Sequence, residues 1–439
     1  MVVVLVLAVA GVVSSNTMYS YYRKGMSRCV QWGNSYKLAA AHVDTLIAQD
    51  AVLVKSAQNR QDGTLETLSA DQVNTAQATL ESAQRRRKEI ASQESANPMM
   101  SCSTKELTPK LNDETRLERQ WTGELEKLIG DLNAAFKPLL VLYALDSGVG
   151  QSARKELEAV TDGVAAFARL QKHTVDSKTL QTLEHAIQKA NADVANSAPY
   201  SRCNDDQEML YRAADKVVKA GNKAKGIDCA TQRCVALTFD DGPDFELTPQ
   251  LVSYLQTEEI SVTFFEMGQK VQADGGSLTR RLAQAGFPIG SHTWSHEDLP
   301  AIIQNHHEGQ QLDDTAALIA SAINVPVNFV RPPHGAVDEA SRTYIGRKEG
   351  AAIAMYGVDS YDWSQGATSA SLTRKIMTQI EPGSIVLMHD IHPHTVEAVP
   401  EIIAKLRKQG YRFVTIPELT EEYPRAGAVY YSRDDILRM

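Results

Sequence analysis

Asp240 and Asp241 end the apolar run "VALTF" and are followed at once by Gly242 and Pro243. Two adjacent carboxylates at the buried end of a strand are costly unless something compensates their charge. One reading is a plain turn, since Asp, Gly and Pro are common turn formers. The other is that one carboxylate binds a cation while its neighbour moves protons. Partners for the second reading lie downstream. In "GSHTWSHEDL", His292 and His296 are four residues apart, a spacing that puts both imidazoles on one side of a helical turn. With one carboxylate they make an Asp-His-His set that leaves a position open for water, the donor set of a catalytic zinc site. A capped helix start accounts for Ser295, Glu297 and Asp298 without any metal.

Three further stretches add to the set. "VRPPHG" supplies Arg331 beside a rigid Pro332-Pro333 pair, "VDSYDW" supplies Asp359, Asp362 and Trp363, and "IVLMHDIHPHT" supplies His389 with Asp390 beside it. Taken singly, an arginine at a strand end is a surface residue and a strand histidine belongs to the core. Together, at successive strand ends, they point to one site.

The elements that must position these residues begin near Gly226. From there strand-like segments ("CVALTFD", "ISVTFFEMG", "FPIGSHT", "NFVRPP", "SIVLMHD", "YRFVTI") alternate with helical ones such as "TPQLVSYLQTEE", "GSLTRRLAQAG" and "SLTRKIMTQI". Repeated βα units imply a mainly parallel sheet with helices outside it. The polar residues fall just after the strands, where catalytic groups sit in α/β barrels.

Residues 16–225 have a different grammar. "SADQVNTAQATLESAQRRRKEIASQ" and "DSKTLQTLEHAIQKANADVANS" carry apolar residues at three- and four-residue spacing, and each begins with Ser or Asp suited to an N-cap. Leu80-Glu81-Ser82-Ala83 is echoed by Leu183-Glu184-His185-Ala186, each followed by a breaker and a cysteine, Cys102 and Cys203. No cluster with catalytic spacing occurs in this half, which reads as a spacer or substrate-positioning unit. The run Arg85 to Lys88 is a solvated helix face or a polymer contact.

At 439 residues two domains are expected, and 43% hydrophobic with 23% charged residues is an ordinary folded composition. A net charge of −9 argues against nucleic-acid binding and against general adhesion to anionic lipid. Val2 to Val13 form an apolar run of signal-peptide length, short for a membrane span, with a cleavage position after Ser15 and no Lys or Arg before it. Signal peptide or N-terminal anchor, either version exports the chain. Five cysteines suit an oxidising compartment. A bridge between Cys229 and Cys234 would close a short loop, worth roughly 2 kcal/mol, with two free thiols as the alternative. Cys29, Cys102 and Cys203 remain an odd set. The resulting division is 1–15 leader or anchor, 16–225 helical domain, 226–425 catalytic domain and 426–439 tail.

From Gly226 to about Leu419 the sequence resembles polysaccharide deacetylases of the NodB-homology type, carbohydrate esterase family four; "TFDDGP" and "SHTWSH" are specific in combination. The resemblance implies a distorted, incomplete (β/α) barrel, here preceded by an all-α domain. It implies that Asp240 is the general base, that Asp241, His292 and His296 hold zinc or another divalent transition metal, and that His389 is the general acid. Arg331 and Asp362 position the base and the acid, and Trp363 and Leu387 line an acetyl pocket. His334 stands where the family pattern has Tyr; its backbone N–H remains available to an oxyanion, while the groove wall changes. Asp359 is expected to be structural, and His392 is a second candidate for the acid. The implied activity is removal of N-acetyl groups from an extracellular glycan, peptidoglycan N-acetylglucosamine first. Chitooligosaccharides or acetylxylan are alternatives, and an inactive glycan-binding module is a third reading. Intact Asp240, Asp241, His292, His296 and His389 argue against the last.

Overall fold

The structure, a computed structural model, describes residues 36–48, 50–51, 54–55, 70–96, 119–136, 149–172, 174–198 and 200–438. The expected leader, Cys29 and Cys102 lie outside these residues. Helices at 36–48, Ala70–Ala96, 119–136, Val149–Leu170, Ser177–Ala195 and Tyr200–Ala224 precede the sheet. In Ser177–Ala195, Leu180, Leu183, Ala186 and Ala190 recur at three- and four-residue spacing and are buried as one stripe. Asp176 caps this helix, accepting from the Thr179 N–H at 2.9 Å. Leu80 and Ala83 are buried just as Leu183 and Ala186 are, so the echoed letters mark inward faces of two helices.

Ten strands follow: β1 Arg233–Gly242, β2 Val262–Glu266, β3 Ile289–Ser291, β4 Phe329–Val330, β5 Ala352–Ala354, β6 Val358–Asp359, β7 Ser384–His389, β8 Tyr411–Phe413, β9 Val429–Tyr430 and β10 Ile436–Leu437. Their order is β10-β9-β5-β4-β3-β2-β1-β7-β6, with β8 paired to β1. Among the named strands of the described residues, only β9 and β10 form an antiparallel pair, and Ser384 of β7 makes one isolated antiparallel bridge to Ser432. This is the expected mixed α/β architecture, a curled, half-barrel sheet backed by helices and preceded by a helical segment. The segment read as a tail contributes β9 and β10, strands too short to show an alternating pattern.

Strand periodicity delivers the chemistry to one interior. On β1, Val235, Leu237 and Phe239 pack outward against Leu251, Leu255, Ile402 and Ile403 of the flanking helices. Ala236 faces the other way, toward Phe265, Phe329, Ile385 and Tyr430. Thr238 and Asp240 continue that inner row, because successive side chains alternate. On β7, Val386 and Met388 are outward while Ile385 is inward, so Leu387 and His389 share the inner face. Asp240 and His389 are register partners across β1 and β7.

Cys229 and Cys234 form the disulfide at the entry to β1, with Cα atoms 5.4 Å apart, and Cys203 is buried and free. The two halves touch across the change of architecture. Tyr36, Ala39, Val43, Trp121 and Leu125 share an apolar cluster with Leu299, Ile302, Leu312 and Val330. Asp215 pairs with Arg425 at 2.7 Å, and the Asn222 amide donates to the Glu418 carbonyl at 2.8 Å. Within the basic run, Arg86 pairs with Glu89 and Glu124, and Arg87 pairs with Asp44. No described helix is long and apolar enough to cross a membrane.

Candidate active site

β1 stays in register with β2 up to Asp240 opposite Phe265, and then Gly242 stands opposite Glu266, so Asp241 is one residue too many. Asp241 has φ 69°, in the left-handed region. A β-bulge re-aims the side chain it carries. It therefore separates the two carboxylates: Asp240 turns to the barrel interior and Asp241 to the histidine loop. Lys270, on the short helix Gly268–Ala273, holds the bulge by donating to the Asp241 carbonyl at 2.7 Å.

His292 follows β3 directly. Its Nδ1–H donates to the Arg331 carbonyl at 2.7 Å; a carbonyl only accepts, so this bond leaves Nε2 with its lone pair when the ring is neutral. Nε2 lies 3.3 Å from Asp241 Oδ1, and His296 Nε2 lies 3.4 Å from the same oxygen. That buried oxygen has no hydrogen-bond partner. An acceptor nitrogen on His292 aimed at a carboxylate oxygen at this range calls for a cation between them, and a ligand histidine whose other N–H is fixed by a carbonyl is the usual supporting arrangement. Ligand atoms of Asp241, His292 and His296 all lie within 4.8 Å of one another. The residues fit a divalent ion. Burial and the neighbouring His292 hold the His296 imidazole below its ordinary pKa, in the neutral form that a ligand needs. Burial works against ionisation of Asp241, but the close approach of His292, with His389 and His296 nearby, keeps it well below the usual carboxylate range.

The helical turn expected at residues 292–296 is absent. The segment is an irregular loop, with Thr293 and His296 at φ 60° and 68°. Local bonds favour this path: the His296 N–H is taken by Thr293 Oγ1 at 3.1 Å, and the Trp294 and Ser295 amides by the side chain of Gln311. Asp298 does stand at the N-cap of Leu299–Asn305, but its side chain makes no capping bond.

On the interior side, Arg331 is fully buried and Nη1 donates to both oxygens of Asp240, at 3.2 and 3.3 Å, and to Thr238 Oγ1 at 3.1 Å. Nε and Nη2 bind the carbonyls of Ala354 and Met355, which fixes the fork. Asp240 Oδ2 is 3.9 Å from His292 Nε2, beside the Asp241, His292 and His296 set. Across the cleft, His389 Nδ1 meets Asp362 Oδ1 at 2.7 Å, while Asp362 Oδ2 accepts from the His389 N–H and from Thr395. Burial disfavours the imidazolium, but the Asp362 bond and charge, with Asp240 and Asp241, prevail and push His389 up to about 9. His392 lies 5.9 Å from His389 between ring centroids, and His394 bonds the Asp362 carbonyl.

The remaining expected residues sit at the rim. His334 occupies the turn Pro333–Gly335 with φ 55°, its ring edge-on to His296 at 4.5 Å. Trp363 is 55% exposed, its ring tilted against that of Tyr361, with its indole N–H 3.4 Å from Asp359. Asp359 also accepts from the Tyr361 N–H at 2.7 Å. Leu387 lies on the inner face of β7, buried. Sequence reasoning missed Glu266, Lys270 and Gln311. Glu266 and Asp390 are fully buried, and burial pushes them up to about 8 and about 7. A charged residue closing the apolar strand "VTFFE" was the available signal for Glu266.

A cation site flanked by a guanidinium-held carboxylate and a carboxylate-held histidine can take a proton on one side of an acyl group and return one on the other, which is the requirement of a hydrolase. Comparison with known proteins narrows that class. The polysaccharide deacetylase family model matches residues 228–351. Peptidoglycan-N-acetylglucosamine deacetylase PgdA of Listeria monocytogenes is 34% identical over 47% of this chain and 42% of its own. A peptidoglycan-N-acetylglucosamine deacetylase of Bacillus cereus is 30% identical over 52% of this chain and 85% of its own. The solved structure of peptidoglycan deacetylase PdaC from Bacillus subtilis is 32% identical over 44% of this chain and 93% of that one, with a TM-score of 0.41. The chain belongs to the polysaccharide deacetylase family. It spans less than half the length of the Listeria relative.

Proposed function

We propose that the chain is an exported deacetylase that hydrolyses N-acetyl groups of a glycan, with peptidoglycan N-acetylglucosamine as substrate and zinc as the resident ion. The observation that carries this reading is that Asp240 and His389 are register partners on neighbouring strands, with the Asp241, His292 and His296 set beside them. The relatives named for peptidoglycan support the choice of polymer.

Asp241, His292 and His296 would hold a divalent ion, which would supply a Lewis acid to lower the pKa of water and polarise the acetyl carbonyl. Asp240, oriented by Arg331, takes the proton of the attacking water as its oxygen bonds to the carbonyl carbon. The N–H of His334 donates to the oxyanion that develops. His389, held as imidazolium by Asp362, gives its proton to the sugar nitrogen as the C–N bond breaks. Acetate and a free amine leave. Leu387 and Trp363 line the acetyl pocket, and the helices before Gly226 serve as an accessory unit that seats the enzyme on an insoluble polymer.

The test is acetate release with mass analysis of products, using the full chain on peptidoglycan, chitin oligomers and acetylxylan. Release from peptidoglycan, lost on chelation and restored by zinc, is expected. Preference for xylan or chitin would reassign the substrate, and no release from any of the three by zinc-loaded protein would overturn the enzymatic reading.

Asp362→Asn provides a separate check on the acid. His389 acts only while protonated, so activity falls as pH rises through its pKa. Removing the Asp362 charge lowers that pKa, and the basic limb of the kcat profile is expected to move to lower pH. An unmoved limb would mean that another group sets it.

A further inference from the structure

Of the three cation ligands, His296 is the one that no strand positions. It sits on the loop between β3 and Leu299–Asn305, where Thr293 and His296 are both in the left-handed region. Non-glycine residues keep that conformation only where their surroundings over-determine it. Much of that determination here comes from one side chain.

Gln311 lies in the π-helical turn Gly309–Asp314 that precedes helix Thr315–Ile323, and it is 6% exposed. Its Oε1 accepts from the Trp294 N–H and the Ser295 N–H, each at 3.1 Å, and its Nε2 donates to Ser295 Oγ at 2.8 Å. Single-turn π segments are frequent at functional sites, because the inserted residue swings a side chain out of helical register. The opposite side of the loop rests on Gly268–Ala273. The Gly268 and Gln269 N–H groups donate to the Thr293 and Trp294 carbonyls at 3.0 and 3.1 Å. A Cβ on Gly268 would stand 2.6 Å from the Trp294 ring, so the contact is close. That helix also sends Lys270 to the Asp241 carbonyl. The loop is thus gripped between a helix that touches Asp241 and a buried amide that touches nothing of the cation set directly.

We propose that Gln311 is a positioning residue for the cation site, fixing the loop path that brings His296 Nε2 to Asp241 and His292. The assignment rests on reading Asp241, His292 and His296 as ligands. The task needs an acceptor for two N–H groups and a partner for a hydroxyl. Gln meets both needs. Glu retains the acceptor and can take the Ser295 O–H, whereas Met fills the space and does neither.

The experiment measures zinc affinity of the full chain by competition with a chromophoric chelator, beside thermal melting without metal, for wild type, Gln311→Met, Gln311→Glu and Ser295→Ala. Loss of a supporting partner typically weakens metal binding about 10- to 100-fold. That rise in Kd is expected for Gln311→Met, with Gln311→Glu near wild type and Ser295→Ala, at an exposed residue, showing a smaller rise. A folded Gln311→Met with a lower melting point but unchanged Kd would make Gln311 merely structural and overturn the proposal. If Gln311→Met does not fold, an unchanged Kd in Ser295→Ala overturns it instead. Absence of zinc binding by the wild-type chain would remove the ligand assignment itself, and this proposal with it.

Discussion

Asp240→Asn is expected to bind its ion at wild-type stoichiometry while losing about 10²- to 10⁴-fold in acetate release, the usual contribution of a general base. Asp241→Asn is expected to lose the ion. The bulge in β1 is the reason that neighbours in sequence differ so much. Both oxygens of Asp240 face Arg331, whereas Asp241 Oδ1 meets both histidines. An amide at 240 can still accept from Arg331 through its remaining oxygen, and the bonds of Arg331 to Thr238, Ala354 and Met355 persist. What it cannot do is take a proton. Metal analysis of both variants beside their acetate release separates the roles. An empty site in Asp240→Asn with a full one in Asp241→Asn would reverse the assignment.

That reversal could not be settled from the letters, and the reason is geometric. "DDGP" shows two carboxylates at a strand end, but nothing in it says which is the extra residue, and the bulge alone decides where each points. The β/α alternation was legible because each strand is an apolar run closed by polar residues, so the strand-end positions of Asp240, Arg331 and His389 followed from pattern. The spacing of His292 and His296 suits a helical turn and a tight loop equally well. The structure takes the loop because Thr293 and Gln311 satisfy its amides. Gln311 itself was invisible, since a π-helical insertion leaves no periodic signature and its bonds reach back to a distant loop. The contact of the helical half with Leu299, Ile302 and Leu312 was hidden for a similar reason. Apolar stripes reveal that a face is covered, without naming what covers it.

His389→Ala is the second large effect, and its size is expected to depend on the leaving group. An amide nitrogen leaves poorly unless it is protonated as the C–N bond breaks, so loss of the acid should cost about 10²- to 10⁴-fold on an N-acetyl sugar. The leaving group of an activated acetyl ester departs as a stable anion and needs no proton. Hydrolysis of the ester should fall far less, because Asp240, Arg331, Asp241, His292 and His296 are untouched by the substitution. The proposed acid role makes the contrast specific to His389. Asp362 occupies Nδ1 at 2.7 Å, which leaves Nε2 as the nitrogen free to face the substrate, and the raised pKa keeps a proton on it near neutrality. Rates on both substrates, measured with zinc-loaded protein, give the comparison. Equal losses on amide and ester would mean that His389 supports the site without donating the proton. His392, with its ring 5.9 Å away, would then be the next group to substitute.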